Sequence, residues 1–183
     1  MFYWFARTLF CCLFTLTGWK VRGRENLPRR GPVVVISNHI SLWDPIVVGT
    51  ALNRRVYFMA KEELFRLPVL GLLIKGLGAF PVHRGRADLT SLRRALNLLA
   101  SGQVIGVFPQ GGRGLKEFRQ GAALMAVRAR APIVPVAIRN KATRWPRFEV
   151  NIGTPLYWPV GSDASLAKVT REAEKAVSRL LGE

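Results

Sequence analysis

The stretch GPVVVISNHISLWDPIVVGTAL, residues 31–52, contains the two patterns that decide the fold. Pro32 to Ile36 is a continuous apolar run between turn residues, which is typical of a short strand buried on both faces. The segment DPIVVGTAL predicts a helix, because Asp44 stands near its start and Pro45 occupies a first-turn position that proline tolerates. A buried strand that leads into a helix is the repeating unit of a parallel α/β fold.

The same alternation continues along the rest of the chain. Further strand-like runs are RVYFMA, GAFPV, VIGVF, PIVPVAI and RFEVNIG, with helical patterns between most of them and at the C-terminus. DLTSLRRALNLLASG is the clearest helix, with leucines on one face and Gly102 as its stop. We predict a single layered α/β domain with a mostly parallel mixed sheet flanked by helices, whose ligands gather where strands end and loops begin.

The N-terminal segment, residues 1–19, is apolar and rich in aromatic residues, and Arg7 is its one charged side chain. A helix of this length is roughly 28 Å long, just short of a comfortable bilayer span. With the basic flank WKVRGR, the segment suits a helix lying in the headgroup region on the cytoplasmic side. We predict a membrane-associating segment at 1–19 and a folded domain at 20–183; the alternative is a buried N-terminal helix of a soluble domain.

The charge balance indicates anionic partners. Lys and Arg number 28 against 11 Asp and Glu, a net charge of +17. Such a surface is drawn to phospholipid headgroups, nucleic acid or an acidic carrier protein. The interleaving of aromatic and basic residues on strands that common RNA-binding folds show is absent, so nucleic acid is not a predicted partner. The adjacent Cys11 and Cys12 have no metal-ligand spacing, and we predict no metal site.

A histidine and an aspartate stand where the first buried strand ends. Were His39 and Asp44 in one continuous helix, the five-residue spacing would turn them about 140° apart, so they can meet only if His39 precedes the helix. A carboxylate beside an imidazole fixes its tautomer and leaves the other nitrogen free to take a proton. The pair predicts a general base and its orienting partner; the alternative is a helix-capping aspartate with a nearby histidine satisfied by backbone.

The sequence offers no nucleophilic serine or cysteine in a GxSxG-like setting. A covalent acyl-enzyme is therefore not indicated. The predicted base instead activates a hydroxyl group of the substrate itself, which implies direct transfer to an alcohol.

Two loops deliver arginines to the predicted edge of the sheet. GAFPVHRG ends in a loop that carries Arg84, and FPQGGRG carries Arg113 behind Gly111 and Gly112. Glycines let the backbone approach a ligand closely, and the forked donors of arginine suit phosphate. Together the loops predict an anion site beside His39; taken singly, each arginine is an ordinary solvated surface charge.

These motifs resemble those of the phospholipid and glycerol acyltransferases, typified by the 1-acylglycerol-3-phosphate (lysophosphatidate) acyltransferases. NHISLWD is similar to their Asn-His-x4-Asp signature, and GAFPVHR, FPQGGRG and APIVPVAI resemble their later blocks in order. AKEELFRLPVLG is similar to the lysine-bearing stretch between the first two blocks. The resemblance extends from about Val21 to Tyr157 and identifies the domain at 20–183 as an acyltransferase catalytic domain.

The resemblance implies a membrane-associated enzyme on the cytoplasmic face. It would transfer a fatty acyl group from acyl-CoA or acyl carrier protein to the free hydroxyl of 1-acylglycerol-3-phosphate, forming phosphatidate in phospholipid biosynthesis. His39 would be the base and Asp44 its partner, and no cofactor or metal is implied, since the thioester is already activated. The alternatives are transfer to another lysolipid, such as a lyso-aminolipid, and a non-catalytic basic membrane-binding relative.

The resemblance also assigns substrate-binding positions. Arg84 and Arg113 would bind the phosphate of the acceptor, with Lys61 as a weaker candidate. Two positions of the third block depart from the usual Phe-Pro-Glu-Gly-Thr-Arg, namely Gln110 in place of Glu and Gly112 in place of Thr. Glutamine keeps the hydrogen-bonding reach of glutamate without its charge, so it can replace a brace but not a counter-ion. This leaves the identity of the acceptor open.

Overall fold

The computed structural model describes residues 1–83, 88–110, 118–140, 147–158 and 165–182. Within them the strands, numbered in chain order, are β1 Lys20–Arg22, β2 Val33–Ser37, β3 Val56–Lys61, β4 Phe80–Val82, β5 Val104–Val107, β6 Ile133–Asn140 and β7 Phe148–Ile152. The α-helices are α1 Phe2–Leu16, α2 Asp44–Ala51, α3 Pro68–Gly76, α4 Leu89–Ala100, α5 Gly121–Ala129 and α6 Leu166–Leu181. Short 3-10 helices cover Arg24–Asn26 and Glu62–Arg66.

All seven strands belong to one sheet in the order β1-β7-β6-β2-β5-β3-β4. The β6 and β7 pair is antiparallel, and the other five neighbouring pairs are parallel. This confirms the predicted α/β domain with a single, mostly parallel sheet and flanking helices. Because β2, β3, β4 and β5 run in the same direction, their carboxyl ends meet at one edge of the sheet.

The central strand β2 is buried on both faces. Val33 and Val35 point into a core that includes Phe14 of α1 and Val47 of α2. The alternate residues Val34 and Ile36 point into a second core, formed by side chains of α4, α5 and α6. Successive side chains of a strand point to opposite faces, so an unbroken β-branched run needs cover on both sides. The VVVI pattern therefore explains why helices lie on both faces.

The edge strand β1 is a feature that the sequence analysis did not predict. Lys20–Arg22 pairs in parallel with β7, with Val21 opposite Val150. Two of its three residues are basic, so the segment has no apolar run. Three residues are also too few to establish an alternation of polar and apolar side chains. Its pairing partner lies near the other end of the chain, where local patterns carry no information about it.

Helix α1 is attached to the domain along one side. The hydroxyl of Tyr3 accepts a hydrogen bond from the backbone N–H of Val56 at 3.1 Å, and Nε of Arg7 donates to the carbonyl of Leu52 at 3.0 Å. The opposite side of the helix leaves large apolar side chains exposed, namely Phe2, Trp4, Phe5, Leu9, Leu13 and Leu16. The helix thus belongs to the folded core and still has an uncovered apolar side.

Among the residues described, none of the helices combines the length and the apolar character that crossing a bilayer requires.

A glycine in β5 creates space for an aromatic ring. Gly106 lies opposite Phe58 of β3 in the ladder, and the ring of Phe58 crosses directly over it. A β-carbon built on Gly106 overlaps this ring. The absent side chain at 106 therefore sets where the Phe58 ring lies.

We predict that Gly106→Ala lowers the free energy of unfolding by about 1–3 kcal/mol, because the methyl group displaces a ring in a packed core. Urea unfolding measures the change. Gly121→Ala is the matched control, since a β-carbon there meets no atom within 4 Å, and helix propensity favours alanine. Combining Gly106→Ala with Phe58→Leu should recover part of the loss. Equal stability of the Gly106→Ala variant and the native chain would contradict the packing argument.

Candidate active site

The structure brings His39 and Asp44 into direct contact. His39 lies in the turn between β2 and α2, and its Nδ1 is 2.7 Å from Oδ2 of Asp44. The Asp44 side chain is fully buried, whereas 13% of the His39 side chain is exposed. A carboxylate at Nδ1 selects the tautomer that carries its proton there, so Nε2 is left with a free lone pair. No group in the described part of the chain bonds to Nε2. This arrangement can accept a proton from a bound hydroxyl group.

Asp44 is itself held by the turn that precedes it. Its Oδ2 accepts hydrogen bonds from the backbone N–H groups of Ile40 at 2.6 Å and Ser41 at 2.8 Å, and Oδ1 accepts from Oγ of Ser41 at 2.9 Å. The carboxylate thus points back towards the loop instead of capping α2, whose first residue it is. These three donors hold the carboxylate in the position that orients His39.

Asn38 fixes the backbone immediately before the histidine. Its Nδ2 donates to the carbonyl of Ile138 at 2.9 Å, and its Oδ1 accepts from the N–H of the same residue at 2.8 Å. The amide therefore serves both backbone groups of Ile138 in the neighbouring strand β6, as a paired strand residue would. The main chain of β2 is free to turn away at this point, which carries His39 out of the sheet.

Gln110 completes the bonding of the His39 backbone. It follows β5, the strand beside β2, and its Oε1 accepts the N–H of His39 at 3.0 Å. The side chain is buried. An oxygen acceptor is all that this contact requires, and a glutamate would supply the same atom. Of the sequence-predicted site residues, the structure therefore brings His39, Asp44 and Gln110 together.

The face of the imidazole rests on an aromatic stack. The His39 ring lies 4.5 Å from that of Phe108, with an angle of 25° between the planes. Phe108 in turn stacks on Phe58, at 5.6 Å and 11°. The stack continues to the space above Gly106, so the packing of three strands limits the tilt of the histidine ring. The sequence analysis did not identify Phe58 or Phe108, because their contacts join residues that are far apart in the sequence.

Lys61 lies at the same edge of the sheet but farther from His39. It ends β3, which is separated from β2 by β5, and its Nζ pairs with Glu63 at 3.2 Å. Its side chain is 48% exposed. The structure therefore places Lys61 in a surface ion pair, apart from the contacts that hold the histidine.

The predicted residues Arg84, Gly111, Gly112 and Arg113 lie outside the described residues. The positions on either side of Arg84's segment are fixed to each other, because the N–H of His83 donates to Oδ2 of Asp88 at 2.8 Å. This bond and the N–H of Ser91 hold the pKa of Asp88 well below its usual range. The His83 ring also pairs with Glu62. The carboxylate of Asp88 thus ties the end of β4 to the start of α4.

A family model described as "Acyltransferase" matches residues 18–139. This range includes the turn with His39 and Asp44, Lys61, the strands β2 to β5, and all of β6 except its last residue. The match covers about two thirds of the chain.

Curated proteins with similar sequences carry consistent names. A 1-acyl-sn-glycerol-3-phosphate acyltransferase of Bacillus subtilis is 31% identical over 165 residues, covering 86% of this chain and 83% of that protein. A protein of the same name from Streptococcus pneumoniae is 29% identical over 170 residues, covering 85% of this chain and 63% of that protein.

A solved structure has the same fold. The crystal structure of the 1-acyl-sn-glycerophosphate (LPA) acyltransferase PlsC from Thermotoga maritima superposes with a TM-score of 0.78 at 25% sequence identity. The alignment covers 97% of this chain and 77% of the Thermotoga chain. Nearly every element described above therefore has a counterpart in that structure.

The fold and the site define an α/β enzyme with a histidine and an aspartate at the carboxyl edge of a parallel sheet. The chain belongs to the acyltransferase family, as the resemblance in its sequence motifs predicted. It is accordingly an O-acyltransferase.

We predict that Asn38→Asp destabilises the fold by roughly 3 kcal/mol at neutral pH, since a carboxylate cannot donate to the Ile138 carbonyl and adds a buried charge. Asn97→Asp, the same change on the exposed side of α4, is the control and should have little effect. Chemical unfolding of both variants measures the difference. Equal stabilities would show that the amide bridge does not contribute to holding β2 against β6.

Proposed function

We propose that this enzyme transfers a fatty acyl group from a thioester donor to the free hydroxyl of 1-acylglycerol-3-phosphate, forming phosphatidate. The observation that carries the proposal is the contact between His39 and the buried Asp44, in a chain of the acyltransferase family. The names of its relatives support the choice of acceptor. Acyl-CoA and acyl carrier protein both fit as donors, since each presents an acyl thioester beside negative charge, which the net charge of +17 attracts.

In the proposed reaction, Nε2 of His39 takes the proton of the acceptor hydroxyl while its oxygen attacks the thioester carbonyl. Asp44 keeps the other ring nitrogen protonated and stabilises the imidazolium that forms. The proton then passes from Nε2 to the departing thiolate as the carbon–sulfur bond breaks. No covalent intermediate is needed, and Ser41, the hydroxyl nearest to the pair in sequence, is already bonded to Asp44. The thioester supplies the activation, so we propose no metal or cofactor.

In this proposal the phosphate of the acceptor is bound by the arginines of two sequence motifs, GAFPVHR and FPQGGRG. Arg84 and Arg113 occupy the matching positions of those motifs, with Gly111 and Gly112 allowing close approach of the backbone and Lys61 as a weaker contact. Guanidinium groups suit this role because two parallel hydrogen bonds recognise two phosphate oxygens.

We also propose that the enzyme works on the cytoplasmic face of a membrane and that α1 contacts the bilayer through its exposed apolar side. Phe5, Leu9 and Leu16 of this side are among the most exposed apolar side chains of the helix. The basic residues that follow it favour anionic headgroups. Removing the exposed bulk with Phe5→Ser and Leu16→Ser, and leaving the packed side of α1 intact, would test this contact in vesicle binding.

An acyl-transfer assay tests the proposed function. Purified protein in mixed phospholipid vesicles is offered acyl-CoA and acyl carrier protein donors together, with 1-acylglycerol-3-phosphate, other lysophospholipids and lyso-aminolipids as separate acceptors. Mass spectrometry identifies the product. Phosphatidate as the main product supports the proposal. Preferential acylation of another lysolipid would reassign the acceptor, and no product with any acceptor would favour a non-catalytic membrane-binding relative.

We predict that His39→Ala lowers the transfer rate by at least about 100-fold, since the general base is lost. Asp44→Asn should also cause a large loss, because the imidazole loses its tautomer and its charge partner. His83→Ala is the control, as it removes the chain's other imidazole from an ion-pair cluster and should retain most of the rate. Circular dichroism and vesicle binding check folding. A His39→Ala variant with a near-normal rate would remove the central assignment.

We predict that Gln110→Glu changes the rate little, because either side chain can accept the N–H of His39 through an oxygen. Gln110→Leu should lower it clearly, since the partly buried N–H of His39 then lacks its partner and the histidine backbone is less well held. Steady-state rates with 1-acylglycerol-3-phosphate measure both variants. A protein that is inactive until Gln110→Glu restores the carboxylate would show that the negative charge, not the hydrogen bond, is required.

A further inference from the structure

A second apolar surface lies on α3, outside the site described above. Among the residues of this helix and the turn before it, Val69 is 81% and Leu72 73% exposed, and three further leucines are exposed. We define the α3 surface as Leu67, Val69, Leu70, Leu72 and Leu73. Soluble domains seldom leave so many large aliphatic side chains uncovered on one short helix.

The α3 surface is uncovered because the helix is attached through glycines. Gly71, the buried residue of the helix, lies directly against the backbone of Phe65 in the preceding 3-10 helix. Gly76, at the other end, lies against the ring of Phe2, where an added β-carbon would be only 2.7 Å away. Glycines make close contacts possible without using the large side chains. The leucines and valine of α3 are therefore left for another partner.

The contact between Phe2 and Gly76 joins α3 to α1, whose exposed side we propose as a bilayer contact. A second contact joins α1 to the turn between β2 and α2, since the rings of Phe10 and Trp43 are 6.4 Å apart. That turn exposes Ile40, Leu42 and Trp43 between His39 and Asp44. Uncovered apolar side chains thus lie on three neighbouring segments, namely α1, the turn between β2 and α2, and α3.

The charges around the α3 surface favour a lipid bilayer over a second copy of the chain. Residues 67–78 contain no acid, and the exposed Lys75 stands at one end of the surface, whereas Arg66 at the other end pairs with Glu62 of the preceding 3-10 helix. An apolar helix side with basic residues at its border is typical of a helix in the headgroup region of an anionic membrane. Two copies with +17 net charge each would repel one another, whereas anionic headgroups would attract both.

We propose that α3, with Leu67, is a second bilayer-contact surface that inserts its aliphatic side chains among the lipids of an anionic membrane. The inference rests on the membrane association proposed for α1 and extends it to a second helix. Two contacts on separate helices fix the orientation of the domain, which one helix alone would leave free to rotate about its axis.

A fluorescent label at position 72 tests the insertion directly. In the full chain, Cys11→Ser and Cys12→Ser remove the native thiols, and Leu72→Cys carries an environment-sensitive fluorophore. Val127→Cys, on the exposed side of α5, carries the same label as the control. With vesicles of phosphatidylcholine and phosphatidylglycerol, we expect a blue shift and quenching by lipid-borne spin labels at 72 and neither effect at 127.

Three results would overturn the proposal. The first is a label at 72 that stays in a water-like environment while the protein sediments with the vesicles, and the second is a protein that does not bind them at all. The third is a blue shift that grows with protein concentration in the absence of vesicles, which would identify a second copy of the chain as the occupant.

A paired substitution measures the contribution to binding. Val69→Ser with Leu72→Ser should weaken vesicle partitioning about tenfold or more, because two aliphatic side chains no longer leave water. Val127→Ser with Tyr157→Ser is the control and should leave partitioning unchanged. Both variants should acylate a water-soluble short-chain acceptor at the native rate. Failure of the native protein in that assay would contradict the proposed function alone, whereas unchanged partitioning of the α3 variant would contradict the α3 surface alone.

Discussion

The need to satisfy backbone hydrogen-bonding groups where β2 ends is the constraint on which the site depends. A central strand cannot stop inside a sheet without leaving donors and acceptors unpaired. Here side chains take over in sequence: Asn38 serves both backbone groups of Ile138, Gln110 accepts the N–H of His39, and Asp44 accepts the next two N–H groups. The same carboxylate oxygen that holds the turn also holds the imidazole. The bonds that allow the strand to end are thus the bonds that orient the histidine that we propose as the general base.

Much of the fold could be predicted because its central elements have strong local patterns. The VVVI run of β2, the proline at the start of α2 and the glycine after α4 each act within a few residues, and the structure has these elements at the predicted places. The edge strand β1 was not predicted, since Lys20–Arg22 has no pattern of its own and is a strand only because β7 lies beside it. The two sides of α1 were not predicted either. The sequence analysis treated membrane association and burial as alternatives, whereas the helix has a packed side and an exposed one.

The candidate site was predictable to the extent that its residues are close in sequence. The five-residue separation of His39 and Asp44 allows a contact once a helix is expected to begin at the aspartate, and the structure has that contact. The bond from the His39 backbone to Gln110 and the stack on Phe108 and Phe58 connect different strands. Such contacts follow from strand order, and several strand orders are compatible with the same alternating pattern. Gly106 was the one local signal of the stack, as a glycine inside a strand indicates the close approach of another group.

The attachment of α1 has a mechanical consequence. Its N-terminal half is bonded to the core through Tyr3 and Arg7, and its C-terminal half packs through Phe14 against Phe148. A helix that is fixed at both ends cannot move independently of the domain. The position of α1 therefore determines the position of the domain. If α1 and α3 both lie in a bilayer, His39 stands at one set height above the lipid plane. The enzyme would then reach hydroxyl groups only at the depth that its rigid geometry sets. A lipid with a longer or shorter headgroup would present its hydroxyl at a different depth, out of reach of His39.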